Sequence, residues 1–169
     1  IRQMIDYISG KISSVVLVDN PTRDYVHKII KTLQPSFLQF HGDETPKFCN
    51  QFDYPYIKAI RVSPDLNIER AIEHFNPKGG FLFDTWHPKK YGGTGGTFDW
   101  DVLPNELKAP KILAGGLTST NVGQAIKIAR PDIVDVSGGV ESLKGIKDER
   151  LIANFVDSVG SADMKIDKK

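Results

Sequence analysis

Short apolar runs, rich in β-branched and aromatic residues, alternate along the chain with amphipathic segments. Six such runs occupy residues 13–18, 37–40, 56–60, 80–83, 111–114 and 133–136. Several are almost continuously apolar, which is typical of parallel strands covered on both faces. The pattern therefore predicts six buried strands.

Between these runs, apolar residues recur at helical spacing. Three stripes stand out: Val26, Ile29, Ile30 and Leu33; Val122, Ala125, Ile126 and Ala129; and Leu151, Ile152, Phe155, Val156 and Val159. Thr118 or Ser119 is the expected N-cap of the second helix, and Gly160 is the expected end of the third. Residues 161–169 are polar and lysine-rich, so we expect a frayed C-terminal tail there.

Alternation of strands and helices predicts an α/β fold with a parallel sheet, either open and doubly wound or closed as a (β/α)8 TIM barrel. A minimal barrel of roughly 200 residues gives about 25 residues to each of its eight units. This chain has 169 residues and six predicted strands, and it opens in what reads as the middle of a helix. We predict that residues 1–160 form a single barrel domain that is amino-terminally incomplete. A complete open sheet of six strands is the alternative.

Composition narrows the classes of partner. Lysine and arginine total 22 and aspartate and glutamate 21, so the near-neutral chain gives no reason to expect nucleic acid or an anionic membrane as partner. No apolar stretch is long enough to cross a bilayer. A single cysteine, Cys49, excludes an internal disulfide and suits a reducing compartment, so we expect a cytoplasmic protein.

Polar residues and glycines follow directly after the predicted strands. In parallel α/β folds, ligands bind at the carboxyl ends of strands. The strand ends carry Asp19 and Asn20, residues 41–44, Arg61, Asp84 and Thr85, Gly115 and Gly116, and residues 137–139. This distribution predicts an active site at one rim of the sheet.

Two glycine turns, each placed between a strand and the segment that follows it, are candidates for phosphate binding. Gly115 and Gly116 end the fifth run, and Ser137, Gly138 and Gly139 end the sixth. Glycines allow main-chain N–H groups to approach an anion closely. Either turn alone would read as a tight connection without a ligand, but two on adjacent final strands favour a bound phosphate. Neither turn has the lysine of a P-loop, which argues against nucleotide triphosphate chemistry.

Asp84 is the best candidate for an acid catalyst. It ends an otherwise apolar strand, where partial desolvation would raise the pKa of a carboxyl group and let it hold a proton near neutral pH. A carboxylate that merely caps a neighbouring loop is the alternative.

The segment after Asp84 is a long glycine-rich loop spanning residues 86–100. Such a loop, anchored by aromatic residues, is typical of a lid over a pocket, and Gly93, Thr94 and Gly95 form its centre. Phe98 and Trp100 would be unusual in a flexible linker, so we expect both to pack beneath the loop.

Two further residue types have a limited role. His41 could donate a hydrogen bond to a substrate, or it could be a histidine at the rim whose ring nitrogens bond only to protein groups. The residues alone do not distinguish these two roles. Cys49 has no histidine at useful spacing, so we interpret it as a packing residue. The other histidines show no metal-ligand spacing, and no metal site is expected.

Taken together, the sequence resembles the phosphoribosylanthranilate isomerase family. The matching phrases are Q-F-H-G-D-E (39–44), F-D-T (83–85) followed by G-G-T-G-G-T-F-D-W (92–100), L-A-G-G-L-T with N-V (113–118 and 121–122), and V-D-V-S-G-G-V-E (134–141). They occur in the family's order and span most of the chain. The lid phrase is the specific one.

The resemblance implies a (β/α)8 barrel that performs an Amadori rearrangement of a phosphorylated aminosugar in tryptophan biosynthesis without metal or organic cofactor. Asp84 stands at the position of the general acid, and His41 at a position lining the anthranilate end of the pocket. The two glycine turns stand where the family holds phosphate. A phosphorylated sugar is thus the expected partner, with no nucleic acid or membrane, and the protein is expected to be a monomer or homodimer.

The departures from the family are also informative. The family's first strand ends in K-I-C-G, whose cysteine is the general base, and this chain has no such phrase. Gly138 replaces a usual serine, and Gly96 a usually larger residue. Two hypotheses follow: an isomerase whose first βαβ portion lies outside this sequence, or an inactive relative that still binds a phosphorylated ligand. A different phosphate-binding barrel enzyme, such as an indole-glycerol-phosphate synthase or a ribulose-phosphate epimerase, is disfavoured because those enzymes lack the lid phrase.

Overall fold

Parallel strands and helices alternate along the chain, as the sequence predicts. The computed structural model describes residues 2–8, 10–86 and 96–166. Its parallel sheet contains β1 (Val15–Val18), β2 (Phe37–Phe40), β3 (Tyr56–Val62), β4 (Gly80–Thr85), β5 (Lys111–Leu113) and β6 (Ile133–Val134). Its helices are α1 (Arg2–Ile8), α2 (Arg23–Leu33), α3 (Pro46–Asn50), α4 (Ile68–Ile72), α5 (Val122–Ala129) and α6 (Glu149–Ile166). Every predicted apolar run contains a strand.

The order of the strands distinguishes the two predicted architectures. All neighbours in the sheet are parallel, and the spatial order β1-β2-β3-β4-β5-β6 is the order along the chain. A doubly wound sheet reverses its strand order at a switch point, whereas a barrel adds each strand beside the last. The topology is therefore that of a barrel segment. Within the described residues, β1 and β6 pair on one side only.

Alternation of side chains along the strands separates two apolar faces. One face packs against the helices: Leu38 and Phe40 lie against Val26 of α2, and Phe83 and Leu113 belong to the same core as α5. The opposite face carries a smaller cluster formed by Ile57, Ala59, Leu82, Ile112 and Ala114. The second face corresponds to the interior of a barrel. The candidate site is formed by side chains on this face at and just after the carboxyl ends of the strands.

Side-chain caps fix where several helices begin. Thr22 Oγ1 accepts a hydrogen bond from Tyr25 N at 3.3 Å, and Thr45 caps α3 in the same way through Phe48 N. The predicted N-cap of α5 is wrong, because that helix begins at Val122 and neither Thr118 nor Ser119 caps it.

The predicted end of the last helix is also wrong. Helix α6 continues through Gly160 to Ile166, beyond the point where the tail was expected to start. Gly160 is exposed on the surface of the helix. A glycine there costs only about 1 kcal/mol relative to alanine, which a long packed helix tolerates. The remaining tail residues, 167–169, lie outside the described part of the chain.

The elements that directly follow β6 were not predicted. After β6, a short 3-10 turn (Gly138–Val140) leads into an antiparallel hairpin of β7 (Glu141–Leu143) and β8 (Ile146–Lys147). A second 3-10 turn (Trp100–Val102) follows the lid segment. Among the helices in the described ranges, none combines the length and the apolar character needed to span a bilayer.

Candidate active site

Asp84 lies on the inner face of the sheet at the carboxyl end of β4. It follows Leu82 by two residues, so the alternation of the strand carries both side chains to the same side. Its carboxylate is buried, with 9% of the residue exposed, as the sequence predicts. Thr85 N donates a hydrogen bond to Asp84 Oδ1 at 2.8 Å. One carboxylate oxygen is therefore held by the backbone, and the other is left to face the site.

The second oxygen of Asp84 faces His41. His41 Nε2 lies 3.3 Å from Asp84 Oδ2, and on the other side of the ring Gln39 Nε2 lies 3.0 Å from His41 Nδ1. Because an amide nitrogen only donates, Nδ1 is the acceptor and the ring hydrogen sits on Nε2. Both ring nitrogens of His41 thus lie next to protein groups, with Nε2 directed at Asp84. A contact between His41 and a substrate stays a prediction.

The loop that carries His41 is held by a buried ion pair that sequence reasoning missed. Lys58 Nζ lies 3.0 Å from Glu44 Oε2 and donates to the Gly42 carbonyl at 2.6 Å. The other carboxylate oxygen, Glu44 Oε1, accepts from Asn20 N at 2.8 Å and from Gly42 N at 3.2 Å. A buried charge pair is stable only when such additional hydrogen bonds surround it. This network fixes the turn that places His41 beside Asp84.

The first glycine turn lies directly against Asp84 and Thr85. Gly115 has φ +83° and Gly116 φ +62°, a backbone region that disfavours side chains. A Cβ atom on Gly115 would overlap Thr85 Oγ1 and lie 2.9 Å from Asp84 Oδ1. Asn121 fixes the shape of the turn, since its amide accepts from Thr118 N at 2.8 Å and donates to the Gly116 carbonyl at 2.9 Å.

The second glycine turn packs on the first. A Cβ atom on Gly139 would overlap the carbonyl oxygen of Leu117, the residue that follows the first glycine pair. Gly138 has open space around it and would accept a side chain. Ser137 is exposed and precedes both glycines. The structure therefore brings Asp84, His41 and both predicted turns together at one rim.

Asp135 is a further site residue that sequence reasoning did not select. It lies two residues beyond Ile133, whose register partner is the inner-face residue Ile112, so the same alternation that orients Asp84 applies to it. Desolvation raises the pKa of Asp135, and the neighbouring carboxylate of Asp84 raises it further, whereas His41 and Lys147 lower it. Although the residue is exposed, the carboxyl group of Asp135 interacts electrostatically with both Asp84 and His41. Strand parity was the sequence signal that could have found it.

The lid is described only at its carboxyl end. Gly93, Thr94 and Gly95 lie outside the described residues, so their predicted role is not tested. Thr85 Oγ1 donates to the Gly96 carbonyl at 3.0 Å, which anchors the end of the lid segment next to Asp84. Phe98 and Trp100 pack against the main core, and their predicted position beneath the loop stays a prediction because most of the loop lies outside the described residues.

Cys49 is buried on α3 within the helix-side core, in agreement with the interpretation as a packing residue. Burial raises the pKa of its thiol to about 12. Within residues 2–8, 10–86 and 96–166, no group of three or more His, Cys, Asp or Glu side chains is arranged to hold a metal ion.

Comparisons with known proteins give one consistent family. A family model described as N-(5'-phosphoribosyl)anthranilate (PRA) isomerase matches residues 4–158. An N-(5'-phosphoribosyl)anthranilate isomerase from Neisseria meningitidis is 46% identical over 145 residues, which is 86% of this chain and 70% of that protein. A protein of the same name from Pseudomonas putida is 44% identical over 161 residues, 95% of this chain and 78% of its own length.

Solved structures give the same result. The crystal structure of phosphoribosyl anthranilate isomerase from Thermotoga maritima superposes with a TM-score of 0.81 at 31% identity, covering 95% of this chain and 78% of that one. A second structure, of the isomerase in complex with reduced 1-(o-carboxyphenylamino)-1-deoxyribulose 5-phosphate, has a TM-score of 0.77 at 28% identity and covers 95% and 77%. By sequence and by fold, this chain belongs to the N-(5'-phosphoribosyl)anthranilate isomerase family.

Proposed function

We propose that the chain carries the general acid and the phosphate grip of an N-(5'-phosphoribosyl)anthranilate isomerase of tryptophan biosynthesis. The reaction converts the aminoaldose into 1-(o-carboxyphenylamino)-1-deoxyribulose 5-phosphate. One observation supports this most directly: the first glycine turn abuts Asp84, so a Cβ atom on Gly115 would lie 2.9 Å from Asp84 Oδ1. An acid and an anion site that share one rim suit a small phosphorylated sugar.

In the proposed first step, Asp84 protonates the furanose ring oxygen. The bond between that oxygen and carbon 1 breaks, and the lone pair of the anthranilate nitrogen forms the C=N bond of a Schiff base. Asp84 is left as a carboxylate. Thr85 N donates a hydrogen bond to this carboxylate and His41 Nε2 lies 3.3 Å from its second oxygen, and we propose that both stabilise the charge as it develops. Gln39 keeps the His41 hydrogen on the nitrogen that faces Asp84.

The phosphate is proposed to bind at the two glycine turns. Main-chain N–H groups of Gly115 and Gly116, together with those of Gly138 and Gly139, would surround it. Because Gly139 packs on the Leu117 carbonyl, the two turns form one continuous backbone surface. Small residues there let a phosphate approach donors that a side chain would cover. Binding energy from this remote group would position the ring oxygen against Asp84.

The second step needs a base that removes the proton from carbon 2 of the Schiff base, giving the enol that becomes the ketose. The resemblance assigns this role to a cysteine in a phrase absent from the present sequence. Cys49 is the one cysteine of the 169 residues. It is fully buried, and the pKa of its thiol is raised to about 12, so it cannot replace that base. A relative that binds the phosphorylated ligand without turning it over is the second candidate function.

A paired assay separates the two candidates. The loss of phosphoribosylanthranilate fluorescence would be followed with this chain as catalyst, and binding of the ketose product would be titrated in parallel. Turnover above the uncatalysed rate would refute the inactive reading. Product binding without turnover would support it, and the absence of both would contradict the proposed ligand.

A further inference from the structure

The side chain of Lys147, on the hairpin strand β8, reaches the second glycine turn. Its ammonium donates to the Ser137 carbonyl oxygen at 2.8 Å and to Ser137 Oγ at 3.2 Å. A third contact joins Lys147 Nζ to Glu141 Oε1 at 2.8 Å. An ammonium group has three N–H bonds, so these contacts use all of them. Lys147 is therefore engaged with the protein at the turn, where two of its three hydrogen bonds go to Ser137.

The contact with Lys147 determines how the Ser137 hydroxyl can bond. An ammonium group can only donate, so Ser137 Oγ is the acceptor in this pair and its own hydrogen remains available for another partner. The hydroxyl does not cap the 3-10 turn that follows it. Ser137 is also the sole hydroxyl-bearing residue of the Ser137–Gly138–Gly139–Val140 stretch.

The hairpin holds the lysine in place. Glu141 Oε2 accepts from Gly145 N at 2.9 Å while Oε1 binds the ammonium, so one carboxylate closes the hairpin at both of its ends. Asp148 N donates to the Val140 carbonyl at 2.9 Å, which fixes the hairpin to the glycine turn. The hydrogen bond from Lys147 makes the largest contribution to lowering the pKa of Glu141, and the hydrogen bond from Gly145 N makes the next largest. The Glu141 carboxyl group therefore stays ionised. The hairpin with its Glu141 and Lys147 side chains is thus one hydrogen-bonded unit, and it is attached to the second glycine turn.

We propose that Lys147 is a positioning residue that orients the Ser137 hydroxyl as a donor to the phosphate group of the ligand. This inference rests on the proposed function, because it assumes that the glycine turns bind phosphate. It assigns a role in ligand binding to the hairpin. It also gives Ser137 the hydroxyl contact that Gly138 cannot make, since the position at 138 has open space but no side chain.

The test uses inorganic phosphate as the probe and measures its dissociation constant by calorimetry for five proteins: the unmodified chain, Lys147→Met, Ser137→Ala, the double variant and Lys144→Met. Lys144 is exposed on the same hairpin, so its replacement removes the same unit charge without touching Ser137. We expect Lys147→Met and Ser137→Ala each to weaken phosphate binding roughly tenfold, as loss of a charge-assisted hydrogen bond does. The double variant should be no weaker than either single one, because both changes remove the same interaction. Lys144→Met should bind within about twofold of the unmodified chain.

Each contrary result has a distinct meaning. If the unmodified chain binds phosphate and either single variant binds equally well, or if the two losses add, the role of Lys147 is overturned and the phosphate site stands. If the unmodified chain binds no phosphate, the proposed site itself fails and the inference fails with it. If Lys147→Met does not fold, Lys147→Arg decides: it keeps the charge and the donors, so tenfold weaker binding in that variant would overturn the inference.

Discussion

The carbonyl oxygen of Leu117 occupies the space that a Cβ atom on Gly139 would need. The two glycine turns, which belong to different strand ends, therefore touch through their backbones. This contact makes the glycine at 139 a steric requirement, whereas the glycine at 138 is not one.

Replacing Gly139 by alanine should damage both stability and phosphate binding. The new methyl group collides with backbone, which cannot rotate away, so we expect a loss of about 1–3 kcal/mol in the free energy of unfolding. Gly138→Ala is the matched control and should change stability by no more than about 0.5 kcal/mol. Urea unfolding of both variants, with phosphate titration, would measure this. Equal effects of the two substitutions would contradict the packing of the turns.

Asp84→Asn should abolish turnover in a preparation that turns over substrate, because an amide cannot supply the proton. Affinity for the ketose product should stay within a few-fold, since the amide oxygen can still accept from Thr85 N. Steady-state kinetics and product titration check both parts. Asp65→Asn is the control, because it makes the same substitution at an exposed turn position and should leave the rate unchanged. A rate for Asp84→Asn within a few-fold of normal would remove Asp84 from the acid role.

Lys58→Met should be strongly destabilising, by about 3–5 kcal/mol, because it leaves the buried Glu44 carboxylate without its counter-charge. Adding Glu44→Gln removes that uncompensated charge while keeping an acceptor for Asn20 N and Gly42 N. The double variant should therefore be more stable than Lys58→Met alone. Urea denaturation of the three proteins tests this, and a double variant as unstable as the single one would argue against the ion pair as the cause.

Asp135→Asn should stabilise the protein at neutral pH and have little effect near pH 3. The folded state raises the pKa of Asp135 above its ordinary value of 3.8, so the folded protein binds this proton more tightly than the unfolded chain does. Stability therefore falls as the pH rises from about the ordinary aspartate value through the folded one. The asparagine variant lacks this penalty. Unfolding curves at pH 3 and pH 7 for both proteins measure the difference, and a gain confined to low pH would reverse the assigned sign.

Cys49 should be inert in the folded protein. With a thiol pKa raised to about 12, roughly one molecule in ten thousand carries a thiolate at pH 8, and the side chain is buried as well. An aromatic disulfide reagent should thus label Cys49 only after unfolding in urea. Rapid labelling of the native protein would show that the α3 region opens readily.

Much of the fold was predictable from sequence, for a physical reason. Strands covered on both faces must be apolar throughout, so the six runs were visible without knowledge of their partners. Asp84 and the two glycine turns could be selected because each follows a strand directly, and topology brings such positions to one rim. The β7–β8 hairpin was missed because its strands are short and exposed, which leaves no periodic pattern.

The contacts that hold the site were not predictable in this way. Lys58 lies within an apolar strand, where a lysine usually indicates solvent, and its partner Glu44 precedes it by a whole helix. Only the three-dimensional arrangement makes them a pair. Asn121 was recognised as part of a phrase, but its double contact with the turn depends on a backbone path that local propensity does not give. Asp135 lay inside a predicted strand, but its interaction with Asp84 and His41 depends on residues that are distant along the chain.

The six strands lie in the sheet in the same order as in the chain, so each pair of neighbouring strands is joined by one continuous connection. Pairing the two strands closes that connection into a loop. The longest connection, residues 86–110, joins β4 to β5. It separates β1 to β4 from β5 and β6, the strands that the two glycine turns follow. Closing a longer loop costs more chain entropy, although the cost grows only slowly with length. We therefore expect β1 to β4 to assemble first during synthesis, with β5 and β6 added across that span to complete the rim.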